Sequence, residues 1–185
     1  MKFLKRIKKF LKWIWYGKSI TSYVAFIILA YLFLKFLVYP AFLLATGLKD
    51  ITTVLSGSMR HDPELTNKTF YRWLEFYNYS KEDYEKWPFL DGLYMGDAVA
   101  IGDKNNITVG DVIVFINPSG KQIIHRVVNI TVIDGEKYYS TKGDANPTQL
   151  YYEIEIPEER VIGKVVARIP FIGIPRLLLY YLTGI

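Results

Sequence analysis

Residues 19–48 read SITSYVAFIILAYLFLKFLVYPAFLLATGL and carry a single charge, Lys35. A helix needs about 20 mostly apolar residues to cross a bilayer. Residues 20–39 supply that length, and Lys35 can stretch its stem toward the far interface. Pro40, which lacks a backbone donor, suits the helix exit. A cleaved secretion signal has a shorter apolar core, of about 7–15 residues. Residues 19–48 are therefore expected to be a retained transmembrane anchor.

Charge divides the chain at this run. Residues 1–18 hold seven basic residues (Lys2, Lys5, Arg6, Lys8, Lys9, Lys12, Lys18) and no acid. Residues 49–185 hold 15 basic and all 18 acidic residues, a balance of −3. The basic flank stays cytoplasmic by the positive-inside rule, so residues 49–185 are expected outside. A basic surface for nucleic acid is not expected on that body. Within residues 1–18, lysines and large apolar side chains recur at near-helical spacing. This fits an amphipathic segment on anionic lipid and equally a plain topogenic charge cluster. Four N-x-[ST] sequons, at Asn67, Asn78, Asn106 and Asn129, all follow the anchor and agree with an extracytoplasmic body.

The body reads as short strands. AVAI (98–101), VIVFI (112–116), IIHRVVNITVI (123–133), KYYST (137–141) and RVIGKVVARI (160–169) are rich in β-branched and aromatic residues. Asp134-Gly135 between two such runs is a hairpin signal. The expected fold class is mainly β, with a small helical insert at residues 66–90, where aromatics and charges crowd together. Ser80 followed by Asp83 resembles a helix cap there. The apolar tail 171–185 is too short for a second span.

With no cysteine and two histidines, disulfides, thiolate sites and histidine-rich zinc centres are excluded. Hydroxyl chemistry remains. In Ser56-Gly57-Ser58-Met59 the two serines are spaced to face one side of an extended segment. One can attack a carbonyl while the other donates a hydrogen bond to the developing oxyanion. His125, in IIHRVV, is the candidate base, because imidazole titrates near neutrality. His61 competes with it, three residues from Ser58. Asp144, in TKGDANP, could orient the histidine. Taken singly, these are also a polar turn, a lone strand histidine and a glycine turn.

Their order is more specific: anchor, SGSM, GDAVAI, GDVIVF, IHRVV, TKGDANP. In this series the chain resembles the type I signal peptidases, in the branch found in archaea and the endoplasmic reticulum. The resemblance covers the anchor and residues 51–64 and 92–173. It implies a coiled antiparallel β-fold behind one transmembrane helix. It also implies Ser58 as nucleophile, His125 as base, Asp144 as supporting acid, and Ser56 with the Ser58 N–H as oxyanion hole. Met59 would lie at the substrate. Signal peptides would be cut after a small-x-small sequence, with neither metal nor cofactor. The expected partners are signal peptides of preproteins, the lipid bilayer and the protein-export machinery.

The chain departs from that pattern twice. Arg60-His61-Asp62-Pro63 and the insert stand where a Glu-Pro step is usual, and Leu150 stands where many archaeal members carry a second acid. Glu153 or Asp62 could replace that acid, or Asp144 could act alone. Such departures fit a divergent archaeal paralogue. The alternative is a non-catalytic peptide-binding or accessory subunit of an export or surface-processing complex.

Overall fold

The computed structural model describes residues 2–184, in two units that meet between Thr46 and Gly47. In the first unit, α1 (Lys2–Tyr16) precedes α2 (Ile20–Phe33), whose N-terminus is capped by the Ser19 hydroxyl. A π-helical turn, Leu34–Val38, then leads into α3 (Tyr39–Thr46). The helix thus continues through Pro40 instead of ending there. Proline removes one i→i−4 bond and crowds the carbonyl four residues back, and a π turn just upstream is where a helix can absorb such a fault. Together these segments make one helix, Ile20–Thr46, of 27 residues with mean hydropathy 2.2. At 1.5 Å per residue it is about 40 Å long, more than the roughly 30 Å of a hydrocarbon core. It is long and apolar enough to span a membrane.

In the second unit, seven strands form a curled antiparallel half-barrel in the order β1-β2-β7-β3-β4-β5-β6. They are β1 (Asp50–Thr53), β2 (Ala98–Ile101), β3 (Val112–Ile116), β4 (Gln122–Ile133), β5 (Glu136–Lys142), β6 (Ile156–Pro157) and β7 (Val161–Ile169). Asp134 and Gly135 both have positive φ, 52° and 85°, and Ile133 pairs with Glu136 across them. This is a two-residue hairpin of the kind whose twist matches its strands.

Period-two alternation distributes the core. Val112 and Val114 join Val54, Met59, Leu93, Val99, Ile101 and Val165 on one face. Ile113 and Phe115 join Ile107, Val127, Tyr139, Ile156 and Val161 on the other. A strand covered on both faces reads as a continuous apolar run, as VIVFI does.

The helices of this unit are α4 (Pro63–Thr66), α5 (Arg72–Phe76), α6 (Lys81–Tyr84) and α7 (Ile174–Thr183). A π turn, Asn67–Tyr71, joins α4 to α5. Ser80 and Asp83 cap α6 reciprocally. The expectation of a mainly β chain needs correction, since 25% of the chain is strand and 41% helix. The coiled antiparallel sheet is present, but α1, the long apolar helix, the insert and α7 outweigh it in residues.

Phe115 is fully buried. Phe115→Ala should destabilise the folded chain by about 3–5 kcal/mol, the range for emptying a packed aromatic site. Denaturant unfolding of the detergent-solubilised protein measures it, and a loss under about 1 kcal/mol would show this face to be loosely packed.

Candidate functional site

Ser58 lies in a turn after β1 that closes with the Arg60 N–H bonded to the Gly57 carbonyl at 3.2 Å. The neighbouring segment holds this turn in place. The Leu93 N–H reaches the Met59 carbonyl at 2.9 Å, and Arg60 bridges to Gly92. From β4, His125 brings Nε2 to 2.9 Å from the Ser58 Oγ. The Ser56 Oγ lies 3.1 Å from the Ser58 Oγ. On the far side of the imidazole, Nδ1 bonds the Glu153 carboxylate.

Glu153 ends a single 3₁₀ turn, Tyr151–Glu153, and is wholly buried. Its second oxygen accepts the Leu150 N–H at 2.6 Å, and the Thr141 hydroxyl lies 3.4 Å from the first. A carboxylate only accepts, so a neutral His125 ring keeps its proton on Nδ1. Its Nε2 is then left to accept from the Ser58 hydroxyl. The hydrogen-bond direction runs Ser56 → Ser58 → His125 → Glu153. This chain can draw a proton off Ser58 while a buried anion steadies the resulting imidazolium.

Asp144 takes a different place from the one expected. It bonds Arg126 and His61, not His125. Arg126 Nε and Nη2 reach Asp144 Oδ1 and Oδ2 at 3.0 and 2.7 Å. His61 Nε2 reaches Oδ2 at 2.8 Å. Neighbouring residues on a strand point to opposite faces, so His125 and Arg126 recruit different acids. The remaining Arg126 donors meet the carbonyls of Pro88, Gly110 and Phe89 at 2.7, 2.8 and 3.2 Å. Its guanidinium carbon lies 5.4 and 5.9 Å from the ring centroids of Phe70 and Trp87. Burial pushes the Asp144 carboxyl up, but the Arg126 charge and the bonds from His61 and Arg126 outweigh it. The net effect holds Asp144 below the ordinary carboxylate range.

Of the other candidates, Asp62 pairs with Arg60 at 3.0 Å, away from His125. Met59, expected at the substrate, is 1% exposed and packs in the core with Val54 and Leu93. Its side chain anchors the serine turn from below. Lys142 is also buried, with Nζ 5.6 Å from the Trp73 ring centroid and donating to the Gly143 carbonyl at 3.1 Å. Burial pulls its ammonium from 10.5 to about 8, against the attraction of Asp144 and Glu153.

Glu153 was only one of three options in the sequence, because it falls nine residues after Asp144. The 3₁₀ turn absorbs the extra length, and Leu150, six residues after Asp144, instead presents its N–H to Glu153. No periodic pattern marks that glutamate as buried.

No family model matches the chain, and neither does any curated protein.

Gly143 follows β5 at the point of closest approach. A Cβ there would lie 2.8 Å from His125 Nε2 and 2.9 Å from the Ser58 carbonyl. Gly143→Ala should therefore separate Ser58 from His125 and lower the rate at which a serine-directed acylating reagent labels Ser58 by about 10²-fold. Unchanged labelling would show that the turn yields freely.

Asp144→Asn leaves a buried guanidinium without its anion and should destabilise the fold by about 3–5 kcal/mol at neutral pH. The folded pKa of Asp144 lies below its unfolded 3.8. Its stabilisation is therefore complete above that unfolded value and is lost as pH falls through the folded one. Unfolding midpoints of wild type and variant should differ at pH 7 and converge in strong acid. A gap that is the same at both would rule out the Asp144 charge as its source.

Proposed function

We propose that the chain is a membrane-anchored serine endopeptidase of the signal-peptidase type, removing signal peptides from exported preproteins after a small-x-small sequence. The observation that carries this reading is the unbroken Ser58–His125–Glu153 hydrogen-bond chain. It is built from motifs in signal-peptidase order, behind one helix long and apolar enough to span a membrane. The basic flank keeps the N-terminus cytoplasmic, and the catalytic domain faces outward from the cell membrane.

In this mechanism the Ser58 Oγ attacks the scissile carbonyl as His125 Nε2 takes its proton, and Glu153 offsets the imidazolium charge. The oxyanion is met by the Ser58 N–H and the Ser56 hydroxyl, which turns from Ser58 toward it. His125 then protonates the leaving amine. Water, activated by the same imidazole, hydrolyses the acyl-enzyme. The acid of the triad is Glu153, and Asp144 supports it by holding the turn that passes both Ser58 and His125. Signal peptides, with small side chains beside the scissile bond, suit a serine loop that follows an anchor by ten residues or so.

The test uses wild type, Ser58→Ala, His125→Ala and Ser56→Ala in liposomes, with a preprotein bearing a small-x-small site. Sequencing the new N-terminus should show cleavage after the small residue by wild type. Ser58→Ala and His125→Ala should each lose several orders of magnitude, because such groups fail as a unit. Ser56→Ala should lose about 10²–10³, the worth of one oxyanion donor. Folded wild type that neither cleaves nor takes a serine-directed label would sink the protease reading and leave a peptide-binding accessory domain.

A further inference from the structure

We propose that His61 is a positioning residue, clamping the serine turn onto Asp144 so that the Ser58 hydroxyl stays aimed at His125. The proposal rests on the protease reading above and assigns a role to the histidine that reading leaves unused.

The serine turn meets the turn after β5 through two bonds. In one, the Ala145 N–H donates to the Ser58 carbonyl at 2.8 Å. In the other, His61 Nε2 donates to Asp144 Oδ2 at 2.8 Å. The Leu93 and Gly92 contacts tie the serine turn to the segment before β2, but toward the turn after β5 the Ala145 bond alone would act as a pivot. The second bond, three residues along the same turn, removes that rotation.

The clamp is rigid at both ends. Arg126 grips both Asp144 oxygens, so the carboxylate cannot follow a moving imidazole. The His61 side chain is 7% exposed, and its ring centroid lies 4.8 Å from that of Phe70. The His61 carbonyl accepts the Tyr94 hydroxyl. Asp144, held as an anion, only accepts, so His61 Nε2 donates in either protonation state of the ring. His61 Nε2 is therefore committed to Asp144 and cannot take the Ser58 proton. Its contribution to rate passes through geometry, where a misplacement of about 1 Å costs on the order of 10²-fold.

The test uses full-length protein in liposomes and two readouts. One is the rate at which a fluorophosphonate labels Ser58, and the other is kcat and KM on the preprotein. His61→Leu keeps bulk but has no donor. His61→Gln places an amide N–H near the position of Nε2. His61→Asn is equally polar but too short to reach. With thermal melts confirming the fold, Leu and Asn should lower kcat and labelling about 100-fold with KM within twofold, and Gln should recover to within about tenfold of wild type.

If Leu fails to fold, the Gln and Asn pair still decides the matter. Equal labelling of those two, or a raised KM with kcat intact, overturns the clamp. A folded wild type whose Ser58 takes no label overturns the protease reading, and the clamp with it.

Discussion

The buried pair between Arg126 and Asp144 organises the second unit. A guanidinium at 1% exposure has lost its water, and its desolvation is offset only when every donor finds an acceptor. All five donors do, from the Asp144 carboxylate and the carbonyls of Pro88, Phe89 and Gly110. Those acceptors come from three segments: the turn after β5, the end of the insert and the turn before β3. The ion pair therefore specifies more than it stabilises. It sets where the Gly143–Asn146 turn sits, and so how close that turn comes to Ser58 and His125.

Two buried carboxylates near one another could compete for the same imidazole. Here they are kept apart by what surrounds each. Asp144 is shared by a permanent cation and His61, which together satisfy its oxygens. Among the described residues, Glu153 meets no arginine. Its oxygens face the His125 ring, a backbone N–H and the Thr141 hydroxyl. A carboxylate bonded to a fixed guanidinium responds little to a charge forming on histidine. One bonded mainly to neutral donors is better placed to do so. By that logic Glu153 suits the support of an imidazolium, and Asp144 suits the holding of structure. Lys142, with its Nζ 5.6 Å from the Trp73 ring centroid, adds positive charge felt by both acids when protonated.

Much of this was legible in the sequence, for identifiable physical reasons. AVAI and VIVFI announce strands because both faces are buried. Asp134-Gly135 announces the hairpin because few dipeptides tolerate two positive φ values. Ser58 and His125 are brought together, as the order of their motifs and the resemblance it carries implied. Three things were not legible. β1 and β6 are too short to show a period. Pro40 does not end its helix, because a π turn takes up the fault. The acid on His125 depends on a 3₁₀ turn whose residues, Tyr151-Tyr152-Glu153, carry no helix signal. Met59 was expected at the substrate for a related reason: a residue beside a candidate nucleophile reads as part of the site, although the turn directs this side chain into the core.

The insert and the altered residues after Met59 make sense only together. Pro63 at the first helical position starts α4, and the segment it begins delivers Phe70 against both His61 and Arg126. The same segment places the Thr69 hydroxyl 2.9 Å from the Asp144 carbonyl and ends by supplying the Pro88 and Phe89 carbonyls to Arg126. Without it, the guanidinium would lose two acceptors and both aromatic faces, and water would reach the ion pair. The insert is thus a roof over the Arg126–Asp144 pair, with His61 as the beam between roof and serine turn. A shorter connection from Met59 to Gly96 would need another way to keep that pair dry.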